Sequence, residues 1–313
     1  MKIAMVGLGK MGANMTKRLL RNGHQVVVYD RSEQATLSLA GDGAAPAESL
    51  QDAVGQLEAP RVVWLMLPAG DPTDQTIAEV KTMLARGDII VDGGNSNYLG
   101  AAPAARELAT LGIAFIDAGV SGGIWGLDNG YCLMVGGDKE AVSVVEPVFY
   151  DLAPEGGYAH VGPPGAGHFV KMVHNGIEYG LMQSYAEGFE LLAAAEEFHL
   201  DLHEIASIWR YGSVVRSWLL DLAHRALAPG AGFEHIEGVI VDSGEGRWTV
   251  EECVKRGVAA PVMATSLFAR FSSRSKDSVA PRLVAALRNQ FGGHAVVTDT
   301  EASGPGGPAN STS

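Results

Sequence analysis

Residues 2–12 read Lys2-Ile3-Ala4-Met5-Val6-Gly7-Leu8-Gly9-Lys10-Met11-Gly12, and this stretch decides the fold. A strand-like apolar run ends in glycines spaced Gly-x-Gly-x-x-Gly, and a helical stretch follows over 13–21. The chain then turns at Asn22-Gly23 into a second strand that ends in Asp30. Gly7 permits the tight turn, Gly9 lets the backbone approach a pyrophosphate, and Gly12 lets helix and strand pack closely. The pattern predicts a dinucleotide-binding strand–helix–strand unit.

Cofactor contacts are expected at this turn and at the ends of the neighbouring strands. The helix N-terminus offers free N–H groups and partial positive charge to phosphates. Asp30 lies where a carboxylate accepts hydrogen bonds from ribose hydroxyls and repels a 2′-phosphate, so NAD is expected to be preferred. Arg31 could stack on adenine or bind a phosphate, which leaves NADP possible. The predicted cofactor-binding residues are Gly7, Leu8, Gly9, Lys10, Met11, Gly12, Asp30, Arg31, Leu67, Pro68, Ala69 and Asn95.

Outward from the first unit, short β-rich runs alternate with helical stretches. Further strand-like runs cover 61–67, 88–91, 113–117 and 131–135, and several are almost continuously apolar. Such runs are typical of strands covered on both faces. From about residue 168 helical periodicity dominates, over 169–195, 202–224 and 262–271, and breaker-rich 162–167 is a plausible joint. We therefore predict an α/β fold: an N-terminal Rossmann-type, doubly wound, mainly parallel sheet (1–164), an all-α C-terminal domain (165–300) and a disordered tail (301–313).

Composition excludes several classes of protein. Of the 313 residues, 47% are hydrophobic and 19% charged, which is ordinary globular composition. No apolar run approaches the ~20 residues of a membrane span, and no signal peptide is expected. A net charge of −13 argues against nucleic acid as a partner. Cys132 and Cys253 lack metal-ligand or redox-motif spacing, which favours a reducing, cytoplasmic location. A small anionic ligand remains possible.

The segment richest in chemistry is Lys171-Met172-Val173-His174-Asn175-Gly176-Ile177-Glu178-Tyr179-Gly180. Lys171, Asn175 and Glu178 are spaced i, i+4, i+7 and share one helix face. A buried lysine can have its pKa lowered enough to act as a base; a solvated helix face is the alternative. Gly176 begins a stripe of small residues that continues through Gly180, Ser184 and Gly188. Because each mid-helix glycine costs about 1 kcal/mol, a backbone or a ligand should approach there.

Two glycine-rich loops follow predicted strands, Asp92-Gly93-Gly94-Asn95-Ser96 and Ala118-Gly119-Val120-Ser121-Gly122-Gly123. Ligands of parallel sheets bind beyond the carboxyl ends of strands, although either loop could be an ordinary turn. Backbone N–H groups beside Asn or Ser suit a carboxylate or a nicotinamide amide. No metal site is expected: His199 and His203 are four residues apart, but a capping box over 201–204 begins a helix between them.

Together, 91–96, 117–123 and 165–179 strongly resemble the 6-phosphogluconate dehydrogenases. The likeness runs from residue 1 to about 295, and the length matches the short form, which lacks a second helical repeat. The resemblance implies oxidative decarboxylation of 6-phosphogluconate to ribulose 5-phosphate and carbon dioxide, with hydride transfer to NAD(P) and no metal. The related 3-hydroxyisobutyrate dehydrogenases share the Lys/Asn spacing but usually lack the His-Asn-Gly-Ile-Glu-Tyr run.

The resemblance also implies roles for single residues. Lys171 would accept the C3 hydroxyl proton and then, as lysinium, polarise the 3-keto group. Glu178 would protonate C1 of the enediol, and Asn175 and His174 would hold the reacting hydroxyls. The implied substrate-binding residues are Asn95, Ser121, Gly122, Gly123, Tyr179, Arg270, Arg288 and His294. In the family, the residues that correspond to Arg288 and His294 reach the phosphate from the partner subunit's tail. A homodimer or tetramer with a shared site is therefore expected.

One segment departs from the long-form pattern, in which Lys-Gly-Thr precedes Gly-Lys-Trp-Thr. This chain reads Ser243-Gly244-Glu245-Gly246-Arg247-Trp248-Thr249, so a hydroxyl replaces a cation and Glu245 adds negative charge. Either fewer cations hold the phosphate or the substrate differs. The first alternative is a β-hydroxyacid dehydrogenase on an unphosphorylated acid such as 3-hydroxyisobutyrate or gluconate, independent of Arg270, Arg288 and His294. The second is a non-catalytic dinucleotide sensor, which would tolerate Lys171→Met.

Overall fold

The computed structural model describes residues 1–275, 278–292 and 295–296. The tail predicted to be disordered, 301–313, lies outside these residues, as does His294. Within the described part, the strands are β1 (Lys2–Val6), β2 (Gln25–Tyr29), β3 (Ala45–Pro46), β4 (Val62–Leu65), β5 (Ile89–Asp92), β6 (Ala114–Ser121), β7 (Cys132–Gly137) and β8 (Tyr158–Gly162).

Helices surround this sheet and are the main elements of the described residues after the last strand. Those packed between strands are α1 (Lys10–Arg21), α2 (Glu33–Gly41), α3 (Leu50–Gly55), α4 (Asp71–Val80), α5 (Tyr98–Thr110), α6 (Gly126–Asn129) and α7 (Lys139–Leu152). Those after the last strand are α8 (Ala166–Ala194), α9 (Leu202–Trp209), α10 (Trp218–Ala226), α11 (Glu245–Arg256), α12 (Pro261–Ser273) and α13 (Val279–Gly292).

The strands form one sheet in the order β3-β2-β1-β4-β5-β6-β7-β8. Every neighbouring pair is parallel except β6 and β7, which run antiparallel. Separate apolar clusters cover its two faces, one around Trp64 and Phe149, the other around Leu65 and Phe115. Because β1 and β4 lie side by side while the chain leaves them in opposite directions, a crevice opens above their carboxyl ends. The predicted fold class, a doubly wound, mainly parallel sheet followed by helices, is confirmed.

Several predicted element bounds were wrong. Strands β3 and β8 were not predicted, because neither has the apolar run that marks a buried strand. Strand β3 has only two residues, and β8 is largely exposed. The predicted helix over 202–224 is two helices: α9 ends at Trp209, and Ser217 caps α10 by accepting from the Leu220 N–H at 3.1 Å. Asp201 caps α9 by accepting from the Glu204 N–H at 3.0 Å, as the capping-box pattern predicts.

Helix α8 is the axis of the second half, and α11 and α12 pack against it. The small-residue stripe marks this contact: a Cβ at Gly176 would lie 2.6 Å from Cγ2 of Thr249 and 3.0 Å from Sδ of Met263. One at Gly180 would lie 3.2 Å from Val262. Of the two possibilities that the sequence left open, the close approach at Gly176 and Gly180 is therefore by neighbouring helices. A third small core, around Phe189, Ala206 and Leu220, joins the far end of α8 to α9 and α10.

Candidate active site

The glycine-rich turn between β1 and α1 has the geometry that a dinucleotide pyrophosphate needs. Gly7 has φ +92°, and a Cβ there would lie 2.4 Å from the Met66 carbonyl oxygen. A Cβ on Gly12 would lie 2.0 Å from the Gly7 carbonyl oxygen, so helix and strand touch through their backbones. At Gly9, the N-cap of α1, a Cβ would meet nothing within 4 Å. The helix N-terminus therefore faces open space that a phosphate can occupy.

Asp30, at the end of β2, is tied to this turn. Its Oδ2 accepts from the Leu8 N–H at 2.7 Å, and its Oδ1 accepts from the Ser32 N–H at 2.8 Å. The carboxylate therefore holds the turn's backbone as well as facing the crevice where a ribose would lie. Arg31 is exposed on the rim of the same crevice. Leu8 is buried and contributes its backbone N–H to this contact.

A cleft of about 1600 Å³ connects the glycine-rich turn to α8. It brings together most of the residues selected from the sequence. From the cofactor set it is lined by Gly7, Gly9, Lys10, Met11, Gly12, Asp30, Arg31, Leu67, Pro68, Ala69 and Asn95. From the catalytic and substrate set it is lined by Ser121, Gly122, Gly123, Lys171, His174, Asn175 and Glu178. A single continuous space thus has room for a dinucleotide and a small substrate end to end.

Lys171 projects from α8 into this cleft yet is 93% covered, with only 7% of its surface exposed. Its Nζ donates to Oδ1 of Asn175 at 2.8 Å. Gly119 of β6 makes the place for it, since a Cβ there would lie 2.5 Å from Cβ of Lys171. Burial lowers the pKa of Lys171 below its ordinary value, while the charges of Glu178 and Glu245 oppose that shift. The lysine is thus placed to take a proton from a substrate.

His174 links the catalytic helix to the loop after β6. Its Nε2 lies 3.3 Å from Oγ of Ser121, and its Nδ1 lies 3.2 Å from Oδ1 of Asn175 and 3.8 Å from Glu178. Burial and the charge of Lys171 lower the pKa of His174, which favours the neutral ring. A neutral ring with its proton on Nδ1 satisfies all of these contacts, because Nε2 then accepts from the Ser121 hydroxyl.

Glu178 lies two turns after Lys171 on the same face of α8 and keeps 38% of its side chain exposed. A carboxyl group open to solvent can exchange protons with water between turnovers, whereas the buried lysine cannot do so directly. The face therefore combines a covered amine with an accessible carboxylic acid. This pairing can remove a proton at one substrate atom and deliver one at another.

The residues assigned to a phosphate form a separate cluster beside the cleft. The guanidinium of Arg270, on α12, lies 3.4 Å from the centre of the Tyr179 ring. On Gly246 of α11 a Cβ would lie 2.4 Å from the same ring. The Tyr179 hydroxyl is buried with no hydrogen-bond partner in the part of the chain that the structure describes. Arg288 is exposed on α13 and, like Tyr179 and Arg270, does not line the cleft.

The departure at 243–249 has a structural consequence that the sequence did not reveal. Glu245 is the first residue of α11, is 3% exposed, and accepts a hydrogen bond from Oγ of Ser243 at 2.6 Å. It lies near enough to Lys171 for its charge to raise the pKa of that lysine. Arg247 is engaged elsewhere, in a two-point contact with Asp242 at 2.8 and 3.0 Å. The charge of Glu245 therefore opposes the effect of burial on the pKa of Lys171.

Sequence reasoning missed several residues of the cleft. Ile124 and Trp125 directly follow the selected Ser121–Gly123 loop, so extending that loop would have found them. Helix α10 adds an apolar wall that had no local signal. The further lining residues include Gln75, Thr76 and Glu79 of α4, and Ser217, Trp218, Leu219 and Leu222 at α10. Arg225 of α10 lies 4.6 Å from the Trp125 ring, so the two walls touch at the mouth.

Within residues 1–275, 278–292 and 295–296, no group of three or more His, Cys, Asp or Glu side chains could hold a metal ion. In the same ranges no helix is both long and apolar enough to cross a bilayer.

Known proteins resemble both halves of the chain. Residues 2–162 match the family model of the NAD binding domain of 6-phosphogluconate dehydrogenase, and residues 167–290 match that of its C-terminal domain. A Bacillus subtilis protein provisionally named a 6-phosphogluconate dehydrogenase is 45% identical over 295 residues, 94% of this chain and 99% of its own. The NAD(+)-dependent, decarboxylating 6-phosphogluconate dehydrogenase of Haloferax volcanii is 42% identical over 299 residues, 95% of this chain and 98% of its own. The solved Plasmodium falciparum 6-phosphogluconate dehydrogenase superposes with a TM-score of 0.80 at 27% identity, covering 96% of this chain and 66% of that one.

Proposed function

Because the chain belongs to the 6-phosphogluconate dehydrogenase family, we propose that it oxidatively decarboxylates 6-phosphogluconate to ribulose 5-phosphate and carbon dioxide, with NAD(P) as hydride acceptor. One observation carries the proposal. Lys171 is buried in the cleft with a lowered pKa, bonded to Asn175, and shares its helix face with the accessible Glu178. Near full-length correspondence with the first two relatives supports the short form of the enzyme.

The chain's own residues divide the reaction between them. A bound nicotinamide dinucleotide supplies the hydride acceptor, and the open space at Gly9, the N-terminus of α1 and Asp30 fit its pyrophosphate and ribose. Neutral Lys171 takes the proton of the C3 hydroxyl as the C3 hydride leaves. The resulting lysinium donates to the 3-keto oxygen, which withdraws the electrons released when the C1 carboxylate departs as carbon dioxide. Glu178 then protonates the enediol carbon.

A phosphate would bind beside Tyr179, where Arg270 supplies a planar guanidinium and the tyrosine hydroxyl lacks a partner among the described residues. Arg288 and His294 of the partner subunit would complete it, which makes the enzyme a homodimer or tetramer. The apolar side chains that α13 exposes support this assembly, since such a surface is normally covered. They include Leu283, Val284 and Leu287, each more than half exposed. A preference for NAD and a cytoplasmic location remain predictions.

The experiment is a set of initial rates at 340 nm with 6-phosphogluconate, gluconate and 3-hydroxyisobutyrate, each with NAD and with NADP. Carbon dioxide release is measured in parallel, and Lys171→Met is the matched control. We expect turnover with 6-phosphogluconate, one carbon dioxide per reduced cofactor, and better rates with NAD. Lys171→Met should lose at least about 10²–10⁴-fold in kcat while still binding cofactor.

Two outcomes would contradict the proposal. Turnover confined to gluconate or 3-hydroxyisobutyrate would mean that Ser243 and Glu245 redirect the enzyme to an unphosphorylated acid. Cofactor binding without turnover of any acid, unchanged by Lys171→Met, would indicate a dinucleotide sensor. The buried Lys171–Asn175 contact argues against the sensor. Burying an amine costs free energy, and ionisable groups with shifted pKa values cluster at sites where they serve a reaction.

A further inference from the structure

Three buried ionisable side chains meet at the first turn of α8, and the proposed reaction does not use them. Asp92 ends β5 and is 3% exposed, and Asp117 of β6 is fully buried. The two are direct neighbours in the sheet register. His168, in the first turn of α8, is 2% exposed and contacts both. Two carboxylates side by side in a core repel each other, so the presence of both at this position calls for a physical reason.

Asp117 anchors the start of α8. Its Oδ1 accepts from the Gly165 N–H at 2.7 Å, and its Oδ2 accepts from the His168 N–H at 2.8 Å. The helix backbone comes this close because glycines face it: a Cβ on Gly136 would lie 2.5 Å from Oδ1 of Asp117 and 2.7 Å from the Gly167 nitrogen. The segment expected to be a joint is therefore a fixed attachment of α8 to the sheet, capped by a buried anion.

Asp92 connects the histidine to a different segment. Its Oδ2 lies 3.1 Å from Nε2 of His168, while its Oδ1 accepts from the Gly94 N–H at 3.0 Å. One carboxylate thus holds the first turn of α8 and the loop that leads to Asn95. Burial by itself lowers the pKa of His168, but the hydrogen bond and charge of Asp92 and the charge of Asp117 together raise it. The charge of Asp92 therefore favours the protonated form of the His168 ring at this 3.1 Å contact.

We propose that His168 is a positioning residue whose hydrogen bond with Asp92 sets the place of the Asn95 loop relative to Lys171. His168 lies three residues before Lys171 on α8, and Asn95 lies three residues after Asp92. The two residues in contact are therefore each followed, three positions later, by a residue that lines the cleft. The inference rests on the proposed function, in which Lys171 and Asn95 serve the same substrate.

The alternative is that the pair only stabilises the fold, and two features argue against it. Replacing a buried ion pair by apolar side chains is often neutral or stabilising, so such a pair is weak evidence for stability. In addition, Nδ1 of His168 is buried with no hydrogen-bond partner within the described ranges. An arrangement that leaves a polar atom unsatisfied is poor for stability alone. Geometry between two functional segments explains it better.

The test compares Asp92→Asn, His168→Leu and His168→Gln in the full-length protein. Asp92→Asn keeps the acceptor for the Gly94 N–H but removes the charge that pairs with His168. His168→Leu removes the contact, and His168→Gln retains an N–H directed at Asp92. We expect kcat to fall about 10- to 100-fold in Asp92→Asn and His168→Leu, because a small misplacement of reacting groups is enough. NAD affinity should change little, and His168→Gln should recover most of kcat.

The chain offers a matched control in a second buried histidine pair. His24 is 4% exposed at its side chain, and its Nε2 lies 2.7 Å from Oδ2 of Asp151, remote from the cleft lining. His24→Leu and His24→Gln should lower the midpoint of thermal unfolding and leave kcat within about two-fold. A loss of kcat at His24 as large as at His168 would overturn the inference, as would equal losses in His168→Leu and His168→Gln. If His168→Leu does not fold, Asp92→Asn carries the comparison.

A readout that needs no turnover separates this inference from the proposed function. Hydrogen exchange should speed up in His168→Leu both over 165–171 and over 93–96, because one contact holds the two segments. In His24→Leu neither segment should change. Faster exchange over 165–171 alone would show that the loop is held independently and would overturn the inference, even for a protein that turned over no acid. Failure of the wild-type enzyme on every acid, with coupled exchange intact, would contradict only the proposed function.

Discussion

At the scale of single residues, Lys171 is bonded to Asn175 and feels the charges of two carboxylates, those of Glu178 and Glu245. Burial lowers the pKa of Lys171 and both carboxylates raise it, so the state of the base is a balance of opposed effects. Glu245 is the buried member of the two and is held in place by Ser243. It therefore tunes the lysine, although the sequence places it in the segment assigned to phosphate.

Glu245→Gln should move the pH dependence of turnover toward acid. The substitution removes a charge that raises the pKa of Lys171, so the pKa falls and the neutral base persists to lower pH. The rising limb of kcat/KM against pH, which reports this base, is then displaced to lower pH. Glu251→Gln, on the exposed face of the same helix, is the control and should leave the limb in place. If the rising limb of kcat/KM lay at the same pH in the wild type, Glu245→Gln and Glu251→Gln, an influence of Glu245 on the pKa of Lys171 would be ruled out.

Asp30 performs two tasks, and two substitutions separate them. Asp30→Asn removes the charge that opposes a 2′-phosphate but keeps an acceptor for one of the backbone N–H groups of Leu8 and Ser32. It should raise the NADP-to-NAD ratio of kcat/KM by at least about ten-fold, the effect of ~1.4 kcal/mol. Asp30→Ala should in addition raise KM for both cofactors, because the turn loses its anchor. An unchanged ratio in Asp30→Asn would show that another residue selects the cofactor.

At the scale of elements, α8 carries the catalytic face on one side and packs against α11 and α12 through its small residues on another. Both sides depend on the same backbone path, so the packing of Gly176 controls where Lys171 and Glu178 point. Thr249 reinforces this contact: its hydroxyl lies 2.8 Å from the Met172 carbonyl oxygen. The helix thus receives its position from α11 and its attachment to the sheet from Asp117.

Gly176→Ala and Gly188→Ala should have opposite effects on stability. At Gly176 the new methyl group meets Thr249 and Met263 at 2.6 and 3.0 Å, so overpacking should cost about 1–3 kcal/mol. At Gly188 a methyl group meets nothing within 4 Å, and the better helix propensity of alanine should stabilise by about 0.5–1 kcal/mol. Urea unfolding measures both. Stabilisation by Gly176→Ala would mean that α11 and α12 do not press on α8.

At the scale of the whole molecule, the proposed acid–base face lies within one chain, whereas the proposed phosphate pocket would take a cation from a partner subunit. Lys171, His174, Asn175 and Glu178 meet within one chain, whereas Arg288 is exposed on α13 and away from the cleft lining. A second copy that brought its α13 to Tyr179 would supply the missing cation and cover the exposed apolar side chains of that helix.

Complementation between two inactive variants tests the shared site. Lys171→Met and Arg288→Ala should each be poorly active alone. Mixed after dissociation, they form hybrid dimers in which one site joins an intact Lys171 to Arg288 of the partner subunit. Random pairing should restore up to about a quarter of wild-type activity, since half of the dimers carry one complete site. Arg225→Ala mixed with Arg288→Ala is the control. A mixture of Lys171→Met and Arg288→Ala that was no more active than its two components would contradict a shared site.

The fold class could be predicted because its determinants are local. Continuous apolar runs mark buried strands, and the conformational demands at Gly7 and Gly12 mark the dinucleotide turn within a dozen residues. That Lys171, Asn175 and Glu178 share one face of α8 could also be predicted, since their i, i+4, i+7 spacing places them together wherever the helix packs. Short or exposed elements such as β3 and β8 lack these signals, and the break between α9 and α10 was hidden by apolar residues on both sides.

By itself the sequence determined the architecture, the glycine-rich turn and which side chains share the cleft-facing side of α8, because each depends on residues that are neighbours along the chain. Only the tertiary structure decided which distant segments meet. It placed Glu245 beside Lys171, α10 across the cleft, α11 against Gly176, and His168 between Asp92 and Asp117. These contacts arise when elements pack many residues apart. The burial that follows lowers the pKa values of Lys171 and His174, and the contact with Asp92 raises that of His168. No local pattern encodes that burial.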